Sequence, residues 1–153
     1  SQDPGLSKQL GVVVFGKQAE QYASLFPFPI YPMNYVSNEK ELVDIYNAVD
    51  LYVTPSLQDN LPNTIVEAMA CGIPCVGFNV GGIPQMIDHL HNGYVAEYQS
   101  AKDLANGIRW TLTEGEYDNL SEEACRKALS SYSESIISMR YIDIYNKITG
   151  SHA

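Results

Sequence analysis

The chain is poor in charge, in paired cysteines and in long apolar runs, and each shortage excludes a class of protein. Only 18% of its residues are charged, and no run of like charges or low-complexity tract indicates a disordered segment. The longest apolar runs, such as residues 11–15, are far below the roughly 18 residues of a membrane-spanning helix. No signal peptide is recognisable, so we expect a soluble cytoplasmic chain.

The cysteines and histidines show none of the spacings of a disulfide framework or a metal site. The cysteines are three, an odd number without a C-x-x-C pair: Cys71, Cys75 and Cys125. We therefore expect reduced, mostly buried thiols. His89 and His91 lack metal-ligand spacing and are predicted as loop residues, and no Asp-x-Asp motif supports a metal-dependent nucleotide-sugar site.

The net charge of −9 argues against nucleic acid as a partner, because binding it requires a basic face that neutralises phosphates. An acidic chain can still bind a small phosphorylated ligand. The free backbone N–H groups at the start of a helix are sufficient for that purpose.

Short β-rich runs alternate with helical periodicity, which is typical of an α/β domain with a largely parallel sheet. The apolar run at residues 12–15 is predicted as a strand covered on both faces. Further strands or extended segments are predicted at residues 28–33, 51–53, 75–78 and 94–97.

Capping signals and apolar periodicity predict the intervening helices. Asn38 begins one of them, with Glu41 at capping-box spacing, and its apolar positions are Leu42, Ile45, Tyr46 and Val49. Gly72 is expected to end a helix at residues 63–71. Other helices are predicted at residues 18–26, 84–89, 120–132 and 133–148, and around the stripe Leu104, Ile108 and Leu112. The last helix is predicted to bury an inner face of Ile137, Tyr141, Ile144 and Ile148.

The most informative segment is residues 55–72, which joins the end of a parallel strand to a helix through a loop that carries a carboxylate. Ligands of open α/β sheets bind outside the carboxyl ends of the strands, and a helix beginning near Asn63 offers free N–H groups to a diphosphate. Asp59 and Glu67 can accept hydrogen bonds from two sets of sugar hydroxyls. The plainer alternative is a solvated loop aspartate and a glutamate placed by the helix dipole. Their spacing alone does not define a general acid–base pair.

The sequence Leu-Pro-Asn-Thr, followed by Glu-Ala-Met-Ala-Cys-Gly-Ile-Pro, resembles the signature of the large retaining glycosyltransferase family called group 1, or family 4, which has GT-B architecture. The family carries an E-x7-E motif in this frame, and here the motif is D-x7-E because Asp59 replaces the first glutamate. Residues 47–56, 81–87 and 92–94 are similar to further family segments, with Gln85 where an acid is usual. Gly81-Gly82 within them either lets backbone approach a ligand closely or forms a simple tight turn.

The resemblance covers nearly the whole chain and implies the Rossmann-like, donor-binding C-terminal half of the enzyme. Glu67 would hold the nucleotide's ribose and Asp59 the transferred hexose, and these two are the candidate catalytic residues. The Tyr35-Val36 loop would border the base. The sugar and diphosphate would face Asn60, Leu61, Asn63 and Thr64. The parent enzyme, of bacterial polysaccharide biosynthesis at the cytoplasmic membrane face, would transfer a hexose from a nucleoside diphosphate sugar to a glycan or lipid-linked acceptor, with no metal or organic cofactor.

One departure from the family affects catalysis. The family's diphosphate is also held by an Arg and a Lys from the first strand–loop–helix, whereas no basic residue lies between Lys40 and Lys102. Residues 12–15 resemble the family's second strand, so we expect residues 11–153 to be a partial domain without its first βα unit and without the acceptor domain. The opening Ser1-Gln2-Asp3-Pro4 has the pattern of a vector remnant, and residues 1–10 are interpreted as that remnant and a lead-in. The isolated chain is predicted to be inactive. A strand at residues 12–15 must then pair with residues 51–54 or leave two sheet edges open, and open edges favour a homodimer.

Two other functions remain open from the sequence. One is a non-catalytic nucleotide- or phosphate-binding regulatory domain, and the other is a receiver-like interaction domain. A receiver requires an acidic cluster at the strand ends and a lysine, which we do not find. A hydrolase lacks support because Gly-x-Ser-x-Gly is absent.

Overall fold

The computed structural model of the chain describes residues 4–15, 19–22, 27–33, 36 and 38–150. The chain divides into two compact units, a first unit of Ser1–Val49 and a second unit of Asp50–Ala153. Both combine parallel strands with helices, so the α/β class expected from the sequence is confirmed. Among the described residues, no helix is both long and apolar enough to cross a membrane.

The first unit contains a two-stranded parallel sheet. Its elements are a short helix α1 (Pro4–Ser7), strand β1 (Val12–Phe15), a 3-10 helix (Ala19–Tyr22), strand β2 (Ile30–Met33) and helix α2 (Glu39–Asn47). β1 pairs with β2 in a parallel register that begins with Val12 opposite Ile30. The helix predicted at residues 18–26 is a single 3-10 turn where it is described, and residues 18 and 23–26 lie outside the described residues.

Helix α2 begins as its capping signal predicts. The side chain of Asn38 accepts a hydrogen bond from the backbone N–H of Lys40 at 2.9 Å, which satisfies one of the unpaired donors of the first turn. Ile45 and Tyr46 are buried on its apolar face. The Tyr46 ring meets Phe15 edge to face, with ring centroids 6.2 Å apart.

The second unit contains a three-stranded parallel sheet in the order β3-β4-β5. Its strands are β3 (Tyr52–Thr54), β4 (Cys75–Phe78) and β5 (Gly93–Ala96). Its helices are α3 (Asn63–Ala70), α4 (Ile83–Met86), α5 (Ala101–Thr113), α6 (Tyr117–Tyr132) and α7 (Glu134–Thr149). The central strand β4 is buried along its whole length, because α3, α4 and α5 all pack against it.

The boundaries in the second unit follow the sequence patterns within a few residues. β5 lies one residue earlier than the predicted segment 94–97, and α6 begins at Tyr117 rather than at residue 120. β3 lies one residue later than the predicted strand 51–53. The helix predicted at residues 84–89 ends at Met86, and His89 instead forms a parallel bridge with Gly93. The Nδ1 atom of His89 accepts a hydrogen bond from the N–H of Val95 at 3.1 Å, so backbone pairing replaces the last helical turn.

Helix α3 ends as predicted. Gly72 has a φ of 73°, and the N–H groups of Gly72 and Ile73 donate to the carbonyls of Met69 and Ala68 at 2.9 and 3.0 Å. This pair of bonds is a Schellman motif, which satisfies the last carbonyls of a helix. The buried face of α3 packs against α6 and consists of Ile65, Ala68 and Met69, each 0% exposed.

The burial predicted for the last helix is wrong. Tyr141, Ile144 and Ile148 are exposed by 59, 51 and 76%, Ile137 is half-buried, and α7 contains no buried residue. Apolar periodicity identifies an amphipathic helix and its stripe, but it does not identify a partner for that stripe. Within the second unit α7 packs against α6, and most of its apolar stripe remains on the surface.

Candidate functional site

Three loops follow the carboxyl ends of β3, β4 and β5, at the edge where parallel sheets bind ligands. Residues 55–62, which we name the donor loop, join β3 to α3. The turn 79–82 follows β4, and residues 97–100 follow β5. The donor loop begins where the Thr54 hydroxyl, at the end of β3, hydrogen-bonds the Ser56 hydroxyl at 3.1 Å.

The start of α3 retains the electropositive end of its dipole. Its N-cap is Pro62, which makes no side-chain capping bond, and no acidic residue lies in the first turn. Nothing within the helix itself therefore neutralises the partial positive charge at its N-terminus. Asn63 is exposed there and Thr64 is half-buried, so an anion can approach this end of the helix.

Tyr52 links β3 to the first turn of α3. Its phenol donates a hydrogen bond to the Thr64 Oγ1 atom at 2.8 Å. Burial raises the pKa of this phenol, and the negative charges of Glu67 and Asp59 add to the rise. Both predicted carboxylates therefore lie within electrostatic range of one phenol at the β3–α3 junction.

The predicted carboxylates are placed by different means. Glu67 lies one turn into α3, at i+3 from Thr64 and i+4 from Asn63, where helical side chains are neighbours. Asp59 lies four residues before the helix, in the middle of the donor loop. Both are half-buried, so each is partly accessible to a ligand and partly held by the protein.

A cavity of about 270 Å³ lies on another side of the same helix start. Leu61 and Asn63 of the predicted site line it, and Asp59, Thr64 and Glu67 are not among its lining residues. Its remaining lining is mostly apolar and comes from α3, α4, α6 and α7: Val66, Met86, Tyr132 and Ile137. The predicted binding residues therefore fall into two groups. Leu61 and Asn63 line the apolar cavity, and Asp59, Thr64 and Glu67 lie outside it.

The two residues predicted to border the base, Tyr35 and Val36, belong to the first unit. Tyr35 lies outside the described residues, and Val36 is half-buried. Their part in ligand binding stays a prediction.

No cation comes from the donor loop or from α3. Three cations of the second unit form ion pairs elsewhere, Arg109 with Glu114, Arg126 with Glu123, and Lys127 with Asp88. Within the part of the chain that the structure describes, no group of three potential ligands is arranged to hold a metal ion. The ligand-binding chemistry of these residues is therefore that of carboxylate acceptors, backbone donors and a helix dipole.

The cysteines are free thiols in the structure. Cys75 is fully buried, and burial raises the pKa of its thiol far above the ordinary value. Burial also raises the pKa of the half-buried Cys71 thiol. A raised pKa disfavours the thiolate, which is the nucleophilic form, and neither thiol is prepared for covalent catalysis.

The chain is similar in sequence to one family of enzymes. The family model for glycosyl transferases group 1 matches residues 32–128. The chain is 30% identical over 117 residues to N,N'-diacetylbacillosaminyl-diphospho-undecaprenol alpha-1,3-N-acetylgalactosaminyltransferase of Campylobacter jejuni, covering 76% of this chain and 31% of that protein. It is 29% identical over 112 residues to N-acetyl-alpha-D-glucosaminyl L-malate synthase of Bacillus anthracis, covering 72% and 29%. The chain belongs to the group 1 glycosyltransferase family, and it spans about a third of the length of these curated relatives.

Solved structures share the fold. Anabaena HepE in complex with UDP-glucose superposes with a TM-score of 0.78 at 19% identity, over 95% of this chain and 42% of that one. The C-terminal domain of a group 1 glycosyl transferase from Francisella tularensis gives a TM-score of 0.63 at 20% identity, over 77% and 62%. The Rossmann-like fold of a GT-B C-terminal half, predicted from the motifs, is confirmed.

Proposed function

We propose that this chain is the donor-binding part of a retaining, metal-independent glycosyltransferase that transfers a hexose from a nucleoside diphosphate sugar to a glycan or lipid-linked acceptor. The observation that carries the proposal is the pair Asp59 and Glu67, which flank the uncapped start of α3 at the carboxyl end of β3. Relatives support the ligand classes. The name of the Campylobacter protein specifies a diphospho-undecaprenol acceptor, and the Anabaena structure contains UDP-glucose.

The geometry suits a ligand with a central anion and a hydroxyl-bearing group on each side. A diphosphate binds the N–H groups at the start of α3, because this end of the helix dipole carries partial positive charge and no side chain caps it. Carboxylates repel phosphate but accept hydrogen bonds from hydroxyls. Glu67, about 6 Å along the helix from Asn63, takes the ribose hydroxyls on one side, and Asp59 takes the hexose hydroxyls on the other.

The rest of the predicted contacts complete the same ligand. Asn60 and Leu61, which are exposed, present backbone groups to the sugar, and the exposed Asn63 at the start of α3 presents its backbone to the diphosphate. Thr64 offers its hydroxyl, which the Tyr52 phenol orients by donating to it. Tyr35 and Val36 border the base in this scheme.

The isolated chain is proposed to bind the donor without turning it over. Stabilising charge on the departing phosphate is a large part of the catalysis of such a transfer. The donor loop and α3 contain no basic residue and offer only the helix dipole and backbone donors to that charge, and the dipole contributes about 0.3–1 kcal/mol per interaction. Measurable sugar transfer by this chain alone would contradict the proposal.

The partner proposed for the whole enzyme is an acceptor-binding domain, because the chain covers only 29–31% of the two curated relatives and 42% of the HepE chain. In its absence, we propose that the chain associates with itself. Among the strands that the structure describes, β3 has a hydrogen-bonded neighbour on one side only, and unpaired strand edges pair with other chains. Light scattering that gives the mass of one protomer at high concentration contradicts this homodimer.

The cellular setting proposed for the whole enzyme is bacterial polysaccharide synthesis, in the cytoplasm or peripherally at the inner membrane face. The lipid-linked acceptor specified in the name of the Campylobacter relative supports this setting. Fractionation of cells that express the whole enzyme tests it.

The second candidate is a non-catalytic nucleotide- or phosphate-binding domain with a regulatory or interaction role. The absence of basic residues from the donor loop and α3 favours it, since such a domain binds phosphate without having to stabilise a leaving group. The two candidate functions can be distinguished by the coding sequence that surrounds this chain. An acceptor domain encoded with this chain supports the transferase, and tight nucleotide-sugar binding without one supports the regulatory role.

A calorimetric screen of uridine and guanosine diphosphate sugars tests the proposed site. Glu67→Ala removes one charged acceptor of a hydrogen bond, so we expect affinity to fall by about 10- to 100-fold. Glu122→Ala is the matched control, because Glu122 is an exposed helical glutamate on α6. Equal affinities of the two variants would overturn the assignment of Glu67.

A further inference from the structure

The Gly81-Gly82 turn touches the backbone of the donor loop. A Cβ atom built on Gly81 would lie 1.7 Å from the carbonyl oxygen of Asp59, and one built on Gly82 would lie 1.8 Å from that of Asn60. Gly81 also has a φ of +55°, which favours glycine. The glycines therefore approach the chain's own loop rather than only closing a tight turn.

A second contact reaches the same loop from the segment that follows β5, the strand on the far side of β4. The Tyr98 phenol, after β5, donates a hydrogen bond to the carbonyl oxygen of Leu57 at 3.1 Å. This bond spans 41 residues of sequence. It is independent of the glycine turn. Three of the four consecutive carbonyl groups from Leu57 to Asn60 are thus contacted from outside the donor loop.

We propose that Gly81, Gly82 and Tyr98 are positioning residues that clamp the donor loop at the place from which the aspartate at position 59 reaches the hexose. The inference rests on the proposed function, in which Asp59 binds the sugar. The side chain of aspartate is one methylene shorter than that of glutamate, so its reach depends on where the backbone lies. A misplacement of about 1 Å is enough to lower activity by two orders of magnitude in a preorganised site.

The clamp acts on sugar recognition and leaves nucleotide recognition alone. Asp59 lies on the clamped segment, whereas Glu67 and the start of α3 are placed by the helix. Loosening the clamp therefore weakens binding of UDP-glucose and leaves binding of UDP unchanged. A merely structural role of the three residues would weaken both ligands together.

The experiment is an NMR titration of this chain with UDP and with UDP-glucose. In Gly82→Ala the loop must move, and we expect UDP-glucose to bind about tenfold more weakly or worse. In Tyr98→Phe one neutral hydrogen bond is lost, and we expect about a fivefold weakening. UDP is expected to bind both variants within about twofold of the unsubstituted chain, an energy smaller than one hydrogen bond.

Two controls match the substitutions. Gly115→Ala adds a methyl group whose nearest neighbour is the Leu120 side chain. Tyr94→Phe removes a phenol that donates to the Asp103 carboxylate at 3.0 Å. Neither residue contacts the donor loop in these interactions, and neither variant is expected to change the ratio of the two affinities. A Tyr98→Phe variant that binds both ligands like the unsubstituted chain overturns the clamp, even where Gly82→Ala does not fold.

Failure of the proposed function gives a different result. If the unsubstituted chain binds none of the uridine and guanosine diphosphate sugars of the screen, the proposed function is contradicted. If it binds neither UDP nor UDP-glucose, amide hydrogen exchange at residues 57–61 decides on the clamp. Faster exchange there in Gly82→Ala and Tyr98→Phe, but not in the controls, supports the clamp. Unchanged exchange overturns it.

Discussion

The two candidate carboxylates lie eight residues apart in the sequence, yet the protein places them by different means. Glu67 is carried by α3, whose buried face of Ile65 and Met69 is 0% exposed. Asp59 is carried by a loop whose position depends on contacts from the glycine turn after β4 and from Tyr98 after β5. One carboxylate is thus positioned by local helical geometry and the other by tertiary contacts. The difference means that each can be disturbed separately.

The largest expected effect comes from removing the anchor of α3. Met69→Ala deletes a fully buried side chain and leaves a cavity, which costs about 2–5 kcal/mol of unfolding free energy. Ile144→Ala on α7, where the side chain is 51% exposed, is the control and is expected to stay within about 0.5 kcal/mol. Chemical denaturation of both variants measures the difference. Similar losses would show that the stripe of α7 is buried in solution.

A smaller effect is expected from lengthening the loop carboxylate. In a clamped loop Asp59→Glu pushes the carboxylate about one methylene too far, and we expect UDP-glucose to bind about tenfold more weakly, the value of one hydrogen bond. Asp118→Glu, in the first turn of α6, controls for the added methylene. Unchanged or tighter UDP-glucose binding by Asp59→Glu would indicate a loop that adapts, against the clamp.

The smallest effect concerns Tyr52, which joins β3 to the helix that carries Glu67. Tyr52→Phe removes the 2.8 Å bond to Thr64 and is expected to lower the unfolding free energy by about 0.5–1.5 kcal/mol at neutral pH. Urea denaturation measures the change. An unfolding free energy equal to that of the unsubstituted chain would show that the bond does not contribute.

The same residue gives a pH dependence. Burial raises the pKa of Tyr52 above its ordinary value of 10.0, so the neutral phenol is favoured in the folded state. Its stabilisation is therefore complete below about pH 10 and is lost as the pH rises toward the folded-state pKa. The unfolding free energy should fall less steeply above pH 10 in Tyr52→Phe, and parallel pH profiles of the two proteins would contradict this reading.

Much of the second unit could be predicted from sequence patterns because those patterns report local physics. Residues 75–78 are predicted as a strand and form β4, whereas residues 12–15, predicted as a strand covered on both faces, are only half-buried. Gly72 marks the end of α3 because glycine adopts a left-handed conformation without steric cost. The D-x7-E frame is sufficient to indicate Asp59 and Glu67 as the candidate ligand-binding carboxylates. The role of Tyr52 was missed. The sequence feature that could have indicated this role is a phenol hydroxyl in the strand that directly precedes the donor loop.

The burial of α7 could not be predicted for a physical reason. Periodicity depends on the helix alone, whereas burial depends on whether another surface is present to cover the stripe. Gly81-Gly82 shows the same limit. Its sequence indicates backbone freedom, but only the structure shows that the close neighbour is the carbonyl of Asp59 and that of Asn60.

The sequence by itself determined the α/β alternation, the end of α3, the family and the two candidate carboxylates, because each depends on residue types that lie a few positions apart. Tertiary structure alone decided that Tyr52 links β3 to α3, that the stripe of α7 is exposed, and that the segments after β4 and β5 both contact the donor loop. Contacts such as Tyr98 to Leu57 join residues 41 positions apart. No local pattern encodes such a contact, because it exists only once parallel strands bring their carboxyl ends to one edge of the sheet.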